Sequence, residues 1–401
     1  MSFASASARS PSPRRAPHDA AEHPARPFAW VEVCEALEAA RLAWTTLAQE
    51  APASPYQSFE FARVWLATIG AAEGATPLIV VARDEAGQPV ALLPFARVAR
   101  GPLRFAVFLG GKDSNFNLGL FRSGGAWSRD DIAALLAAAA ALAAPRIDAF
   151  LLTNQPPTWR GLANPLGDGR SQPSPSFAYA SALPGDFAVW LDARASKEAK
   201  KKMRKKRARL EATAPLVHSR AAGAQEIDRA LAAFHAERRA RTEALGVPDP
   251  YASAAAQEFL AQLAGEGGLE LHTMAHGGRI IAVFGALPGA ERLSGLFIGH
   301  NGDPEIARSS PGEIMVQAVV ADAIARGFAE FDLGVGEARY KDEACEIVEP
   351  LFDSAFGVTL RGRLAAWAFL AARRAKRSVK RSPRLKALHA RLLRLSGRSG
   401  D

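Results

Sequence analysis

The chain has 401 residues, 48% hydrophobic and 23% charged, which is a globular composition too long for a single efficient core. No apolar run reaches the roughly 18 residues needed to cross a bilayer, and Cys34 and Cys345 alone exclude a disulfide framework and a paired-cysteine zinc site and fit a reducing cytoplasm. The net charge of +9 is concentrated in two blocks: residues 194–209 hold ten Lys/Arg against one acid, and 361–401 hold thirteen against Asp401, leaving the remainder near −12. Local basic surfaces of this kind attract phosphates, acidic carrier proteins, nucleic acid or anionic lipid.

Residues 1–27, rich in Ser, Ala, Pro and Arg and without a continuous apolar core, read as a disordered tail. Helices are expected over Val33–Ala48 and Phe59–Ile69, then a hairpin of Leu78–Ala82 and Val90–Phe95 across Asp84–Gln88. Strands at Phe105–Leu109 and Leu118–Phe121, a helix at 130–143 and a strand at Ile147–Leu152 complete a first lobe, 28–180, closed by the Pro/Gly/Ser-rich stretch 155–176. The second lobe, 181–362, opens with a strand at Phe187–Leu191, a basic helix at 197–212, a strand at 215–220 and helices at 224–243 and 253–264. Leu269–Ala275 and Arg279–Leu287 pair across His276-Gly277-Gly278, followed by a strand Arg292–His300, a loop, a helix over 311–326 and the strand Phe328–Leu333. That order predicts a crossover between parallel neighbours. After Leu351–Leu360 comes a basic helical tail, 363–401, in which Trp367, Phe369, Leu370, Leu385, Leu388, Leu392 and Leu395 lie among cations. The tail suits either an interfacial amphipathic helix or docking on its own lobe.

Ser310-Pro311-Gly312-Glu313 has the form of a capping box with Pro at the first helical position. A helix N-terminus exposes unpaired N–H groups and the positive end of the dipole. With Arg308 in the preceding loop and Gly312 admitting close approach, it is a natural phosphate seat, although Glu313 competes for the same donors.

The ordered series Ser310-Pro311-Gly312, Arg326-Gly327, Phe331-Asp332-Leu333-Gly334 and Tyr340-Lys341 resembles the acyl-CoA core of GNAT acyltransferases. Ser58-Phe59-Glu60-Phe61 with Trp65, Phe108-Leu109-Gly110-Gly111 and the basic run Lys200–Lys206 extend the resemblance to the CelD-type branch linked with cellulose biosynthesis, related to the Fem peptidyltransferases. It covers roughly residues 50–360. It implies an α/β fold with mixed sheets: tandem GNAT-like lobes, each a mixed β-sheet flanked by helices, with the donor site in the C-terminal lobe.

By this resemblance the pantetheine arm of acyl-CoA would meet Leu296, Phe297, Ile298 and Gly299, and its phosphates Arg308, Ser309, Ser310 and Gly312. Direct transfer needs a base for the acceptor and a donor for the leaving thiolate. Tyr340 and Lys341 are candidate donors and Asp332 a candidate base, each with a packing or ion-pair reading beside the catalytic one. His235, Arg239 and His300 are candidate acceptor contacts; no metal is expected. The leading expectation is N- or O-acyl transfer from acyl-CoA, or from acyl carrier protein, to an amine or hydroxyl in envelope polysaccharide, amino-sugar or lipid metabolism. The protein is expected in the cytoplasm or at the inner face of the membrane through its basic tail. Aminoacyl-tRNA-dependent peptide bond formation and a non-catalytic membrane-associated scaffold remain the alternatives.

Overall fold

A computed structural model describes residues 14–17, 26–167 and 171–382. The chain folds as a mixed α/β protein in two compact units that interrupt one another in sequence: residues up to Pro173 with Phe352–Ala372 form the first, and Ser174–Leu351 with Arg373 onward the second.

The first unit opens with β1 (Arg14–Pro17) and β2 (Trp30–Cys34), followed by α1 (Arg41–Glu50) and α2 (Phe59–Trp65). Thus part of the expected tail is a strand, paired antiparallel with β2 from Arg14↔Val33 to Pro17↔Trp30, while the remainder to residue 25 lies outside the described residues. Val33 and Cys34, expected in a helix, belong to β2, because an apolar run this short does not distinguish a buried strand from a helix turn. β3 (Thr76–Arg83) and β4 (Pro89–Arg100) form the expected hairpin, and β5 (Leu103–Phe108), β6 (Leu120–Phe121), α3 (Arg129–Leu142) and β7 (Ala149–Gln155) follow. The α3 N-terminus is a true capping box, with Ser128 and Asp131 bonding each other's backbone N–H. A small hairpin of β8 (Thr158–Trp159) and β9 (Leu162–Ala163) precedes β10 (Ser171–Pro173).

The second unit begins with β11 (Ala178–Ala182). Next comes α4 (Phe187–Arg194), where the apolar run Phe187–Leu191 reads as a strand. Asp186 decides otherwise: its carboxylate accepts from the Ala188 and Val189 N–H groups and nucleates a helix. Then follow α5 (Lys197–Glu211), β12 (Leu216–Arg220), α6 (Gly223–Leu245), α7 (Ala254–Gly265), β13 (Glu270–His276), β14 (Arg279–Pro288) and β15 (Arg292–His300). A short α8 (Pro304–Ala307) leads to α9 (Pro311–Ala325), β16 (Glu330–Val335), α10 (Arg339–Ala344) and β17 (Ile347–Glu349). β18 (Phe352–Gly357) and the start of α11 (Leu360–Arg381) return to the first unit.

The first sheet runs β1-β2-β3-β4-β5-β7-β18-β10 with β6 on β4; the second runs β12-β13-β14-β15-β16-β11-β17. Each contains one parallel pair, β5 with β7 and β15 with β16, spanned by α3 and α9. The second core stacks Ile314, Met315, Val319 and Val320 of α9 on Phe284, Leu293 and Phe331 of the sheet. Burying each such side chain contributes about 1.5–3 kcal/mol. This packing fixes where α9 begins relative to the end of β15.

Candidate functional site

The parallel ladder between β15 and β16 covers only Arg292↔Glu330, Leu293↔Phe331 and Ser294↔Asp332. Beyond that point β15 continues to His300 and β16 to Val335 without pairing to each other, so the strands fork; Phe297–His300 is paired through β14 alone, with Leu296 left over at the register shift. Two features set the fork. The β14 ladder shifts register at Gly285/Ala286, a bulge that turns the strand. Gly295 lies at the crotch, where a Cβ would come within 2.8 Å of the Asp332 carbonyl oxygen and 2.7 Å of the Phe284 ring.

α6 lies along the far end of β15. Phe234 stacks on Phe297 with centroids 4.0 Å apart, and a Cβ at Gly299 would stand 2.8 Å from the Phe234 ring. Arg241 of the same helix donates to His300 Nε2 at 3.0 Å, which makes that nitrogen an acceptor, while Asn301 Nδ2 donates to Glu237 at 2.6 Å. His235 and Arg239 were the expected acceptor contacts on this helix, but the 3.6-residue period turns Arg239 away from the face carrying Phe234, Glu237 and Arg241 and leaves His235 at its edge, its ring centroid 5.2 Å from that of Phe234. His235 is half-buried, and burial lowers its pKa; Arg239 is exposed.

The α9 N-terminus departs from the expected capping box. Ser310 adopts φ +52° and ψ +60°, so its side chain makes no cap; instead Lys206 Nζ donates to both Ser310 Oγ and Glu313 Oε2 at 2.7 Å. A capping serine needs extended dihedrals, and the left-handed turn removes them. Pro311 has no N–H, and the Glu313 and Ile314 N–H groups bond to the Ser310 carbonyl. Gly312 therefore supplies the first available helix-start N–H, and its Cα faces His300, 3.1 Å from ring Cδ2 to an ideal Cβ. Arg308 is exposed and ion-paired with Glu305, not gathered over the helix start, and Ser309 is fully buried. The cation at this helix start is Lys206, 104 positions before Ser310.

Asp332 is wholly buried, with Arg292 Nε 3.0 Å from Oδ2 and the Gly334 N–H on Oδ1. Burial pushes its pKa up to about 6 against the pull of Arg292. Arg292 also grips Glu349 on β17 through both terminal nitrogens, at 3.1 and 2.6 Å. A carboxylate so placed has no access to an acceptor: Asp332 locks the base of the fork and is not the expected base.

Lys341 is likewise buried. Its ammonium donates to the carbonyls of Val335 at 3.0 Å and Gly334 at 3.3 Å, fixing the end of β16, and burial lowers its pKa to about 8. Tyr340 is different. Burial raises the pKa of its phenol, while Arg241 and Arg238 of α6 pull it back, placing it within the field of the helix that holds His300.

Residues 197–342 match the acetyltransferase (GNAT) domain family. No curated protein sequence matches the chain. Among solved structures, FemX superposes with a TM-score of 0.55 at 10% identity, covering 78% of this chain and 95% of its own. A conserved protein of unknown function from Bacteroides thetaiotaomicron gives 0.52 at 10% identity, covering 80% and 98%. The C-terminal domain of a putative lysylphosphatidylglycerol synthetase from Agrobacterium fabrum gives 0.50 at 11%, covering 84% and 96%. At such identities the likeness is one of fold.

The match to the GNAT domain falls within the second unit, and the first unit has a fork of its own that is built differently. There β5 and β7 pair only at Phe105↔Ala149 and Ala106↔Phe150. Past that point Asn117 bridges the gap: its N–H donates to Asn154 O, and its side-chain amide to Thr153 O and Gly111 O. In the first unit the chain's own segment thus fills the gap beside β7, whereas the described residues leave the β15–β16 fork of the second unit unbridged by such a segment. Among the residues that sequence reasoning overlooked, Lys206 lay inside the basic run and Arg241 two positions beyond Arg239. Only the fold tells either from its charged neighbours.

Proposed function

We propose that the second unit transfers an acyl group from a coenzyme A thioester to an amine or hydroxyl, with acyl carrier protein as a second donor of the same chemistry. The observation that carries this reading is the fork: a strand edge from Leu296 to His300 that has lost its parallel neighbour and ends beside the start of α9. An edge of this kind pairs with an amide-bearing arm, as pantetheine is. The Gly312 N–H and Lys206 then receive the phosphates.

In the chemical step the acceptor nitrogen or oxygen attacks the thioester carbonyl carbon, the C–S bond breaks and sulfur departs as thiolate. Tyr340 gives its phenolic proton to that thiolate, while Glu237, at the end of the open edge, takes the acceptor's proton; the products are an amide or ester and the free thiol. Arg241 keeps His300 oriented where donor and acceptor meet. The setting we infer is cytoplasmic, with an envelope polysaccharide, amino-sugar or lipid precursor as acceptor, as in the CelD-type branch.

Calorimetric titration with acetyl-CoA and a longer acyl-CoA tests the reading. Saturable binding is expected, weakened about tenfold or more in Lys206→Met and in Gly312→Val, the loss of one charge-assisted contact to phosphate. Absence of binding to either thioester, with binding of charged tRNA instead, would replace this reading by aminoacyl transfer.

A further inference from the structure

Up to Ala372, α11 is mounted on the first unit by one face; its last turns belong to the second unit, where Arg377 donates to Ser174 O and Lys380 to Ser176 Oγ. Gly362 sits so close to the Asp148 backbone that a Cβ would overlap its carbonyl oxygen, and Asp148 accepts from Thr359 Oγ at 2.8 Å and Arg361 Nε at 2.7 Å. Ala366, Phe369 and Leu370 continue this face against Phe105, Ala149 and Leu151. Phe369 and Leu370, read from sequence as part of an interfacial stripe, are therefore spent on docking.

The opposite face carries Leu360, Leu364 and Trp367, 82%, 68% and 69% exposed. Their spacing of four and three residues stacks them into one stripe along the helix. Ala368, Ala371 and Ala375 extend that side with small apolar groups. The helix LRGRLAAWAFLAARRAKRSVKR contains eight Lys/Arg and no acid, and among them Arg363, Arg374 and Lys376 are exposed. The sequence after it adds five more cations before its first acid, Asp401.

We propose that this face is a docking surface for an anionic lipid membrane, on which α11 lies parallel to the plane. An aromatic with a polar ring edge and two leucines suit the boundary between headgroups and acyl chains, and a helix with cations and no carboxylate meets a negative plane without an opposing charge. The inward face is already occupied, so the stripe faces solvent without unfolding anything. No helix among the described residues is long and apolar enough to cross a membrane, which leaves lying on the surface as the mode of contact for this helix.

The test is co-sedimentation of the full-length protein with vesicles of phosphatidylcholine alone and of phosphatidylcholine mixed with phosphatidylglycerol, beside Leu364→Ser/Trp367→Ser, Arg363→Gln/Arg374→Gln/Lys376→Gln and a chain ending at residue 382. Binding to the anionic vesicles is expected, falling at least about tenfold in the first two variants and retained in part by the shortened chain. Trp367→Phe is expected to keep it. The substituted side chains are exposed, so unchanged melting temperatures show that the variants fold. The proposal is overturned if the wild type ignores anionic vesicles, if the shortened chain alone loses binding, or if the stripe variants abolish self-association instead, marking a second copy as the occupant.

Discussion

Replacing Arg292 by Met tests whether the buried ion pair holds the fork together. Arg292 is 5% exposed and touches Asp332, Glu349 and, at 3.6 Å, Glu330, so one guanidinium links β15, β16 and β17. Removing one partner of a buried pair costs about 3–5 kcal/mol, because the other charge is left in a dry site. In a unit of roughly 200 residues each kcal/mol moves the melting temperature by about 2–4 °C, which gives a fall of about 6–20 °C. The effect carries a pH signature. The folded pKa of Asp332, already raised to about 6, rises further without Arg292, whereas the unfolded value stays near 3.9. Between those values the native state keeps a proton that the unfolded state has released, so stability falls as pH rises. Differential scanning calorimetry should find the gap between wild type and Arg292→Met widest near pH 8 and narrowed near pH 5, where the orphaned carboxyl is protonated. A pH-independent gap, or one under about 2 °C, refutes this account. Asp332→Asn should leave turnover within about threefold; a loss of about 100-fold with donor affinity intact would restore Asp332 as the base.

Tyr340→Phe should lower turnover about 100-fold or more while leaving the affinity for acyl-CoA unchanged, read as kcat against Kd; an equal loss in both would make Tyr340 a binding residue only. His218 on β12 stacks on the buried His272 with Nε2 and Nδ1 3.1 Å apart, and faces Asp322 of α9 and Arg220 of its own strand. Burial lowers its pKa to about 4, so the native state binds fewer protons than the unfolded chain. Its contribution is complete above about 6.5 and is lost as pH falls toward 4. For a partly exposed ring this amounts to about 1–2 kcal/mol. His218→Asn should therefore flatten the fall in melting temperature between neutral pH and about pH 5, and an unchanged slope would assign that fall to other groups.

The two hairpins and the strand–helix–strand crossover were legible because their signals are local: alternating or continuous apolar runs, glycine turns and a helix of the right length. Phe187–Leu191 shows the limit. Five apolar residues fit either period, and the deciding group is the Asp186 carboxylate one position outside the run. Ser310–Glu313 failed differently, since the pattern of a capping box was present but Lys206 had taken both side-chain oxygens. Asp332 and Lys341 were visible as titratable residues near a strand end, whereas their partners Arg292, Glu349 and the Gly334 carbonyl come from other strands or depend on a turn. Residue type and position are written in the sequence; exposure and partnership arise only on folding.

The return of β18 to the first sheet bears on how the chain is made. β7 pairs with β18 along one side from Ala149↔Gly357 to Gln155↔Phe352, so a nascent chain that has just finished β7 exposes a bare apolar strand edge until some two hundred further residues have been synthesised. Within that interval the entire second sheet emerges, while the first waits for its last strand. The sheet that begins the chain is thus the later to be completed, and expressing residues 1–180 alone would produce the waiting state with its edge open to aggregation.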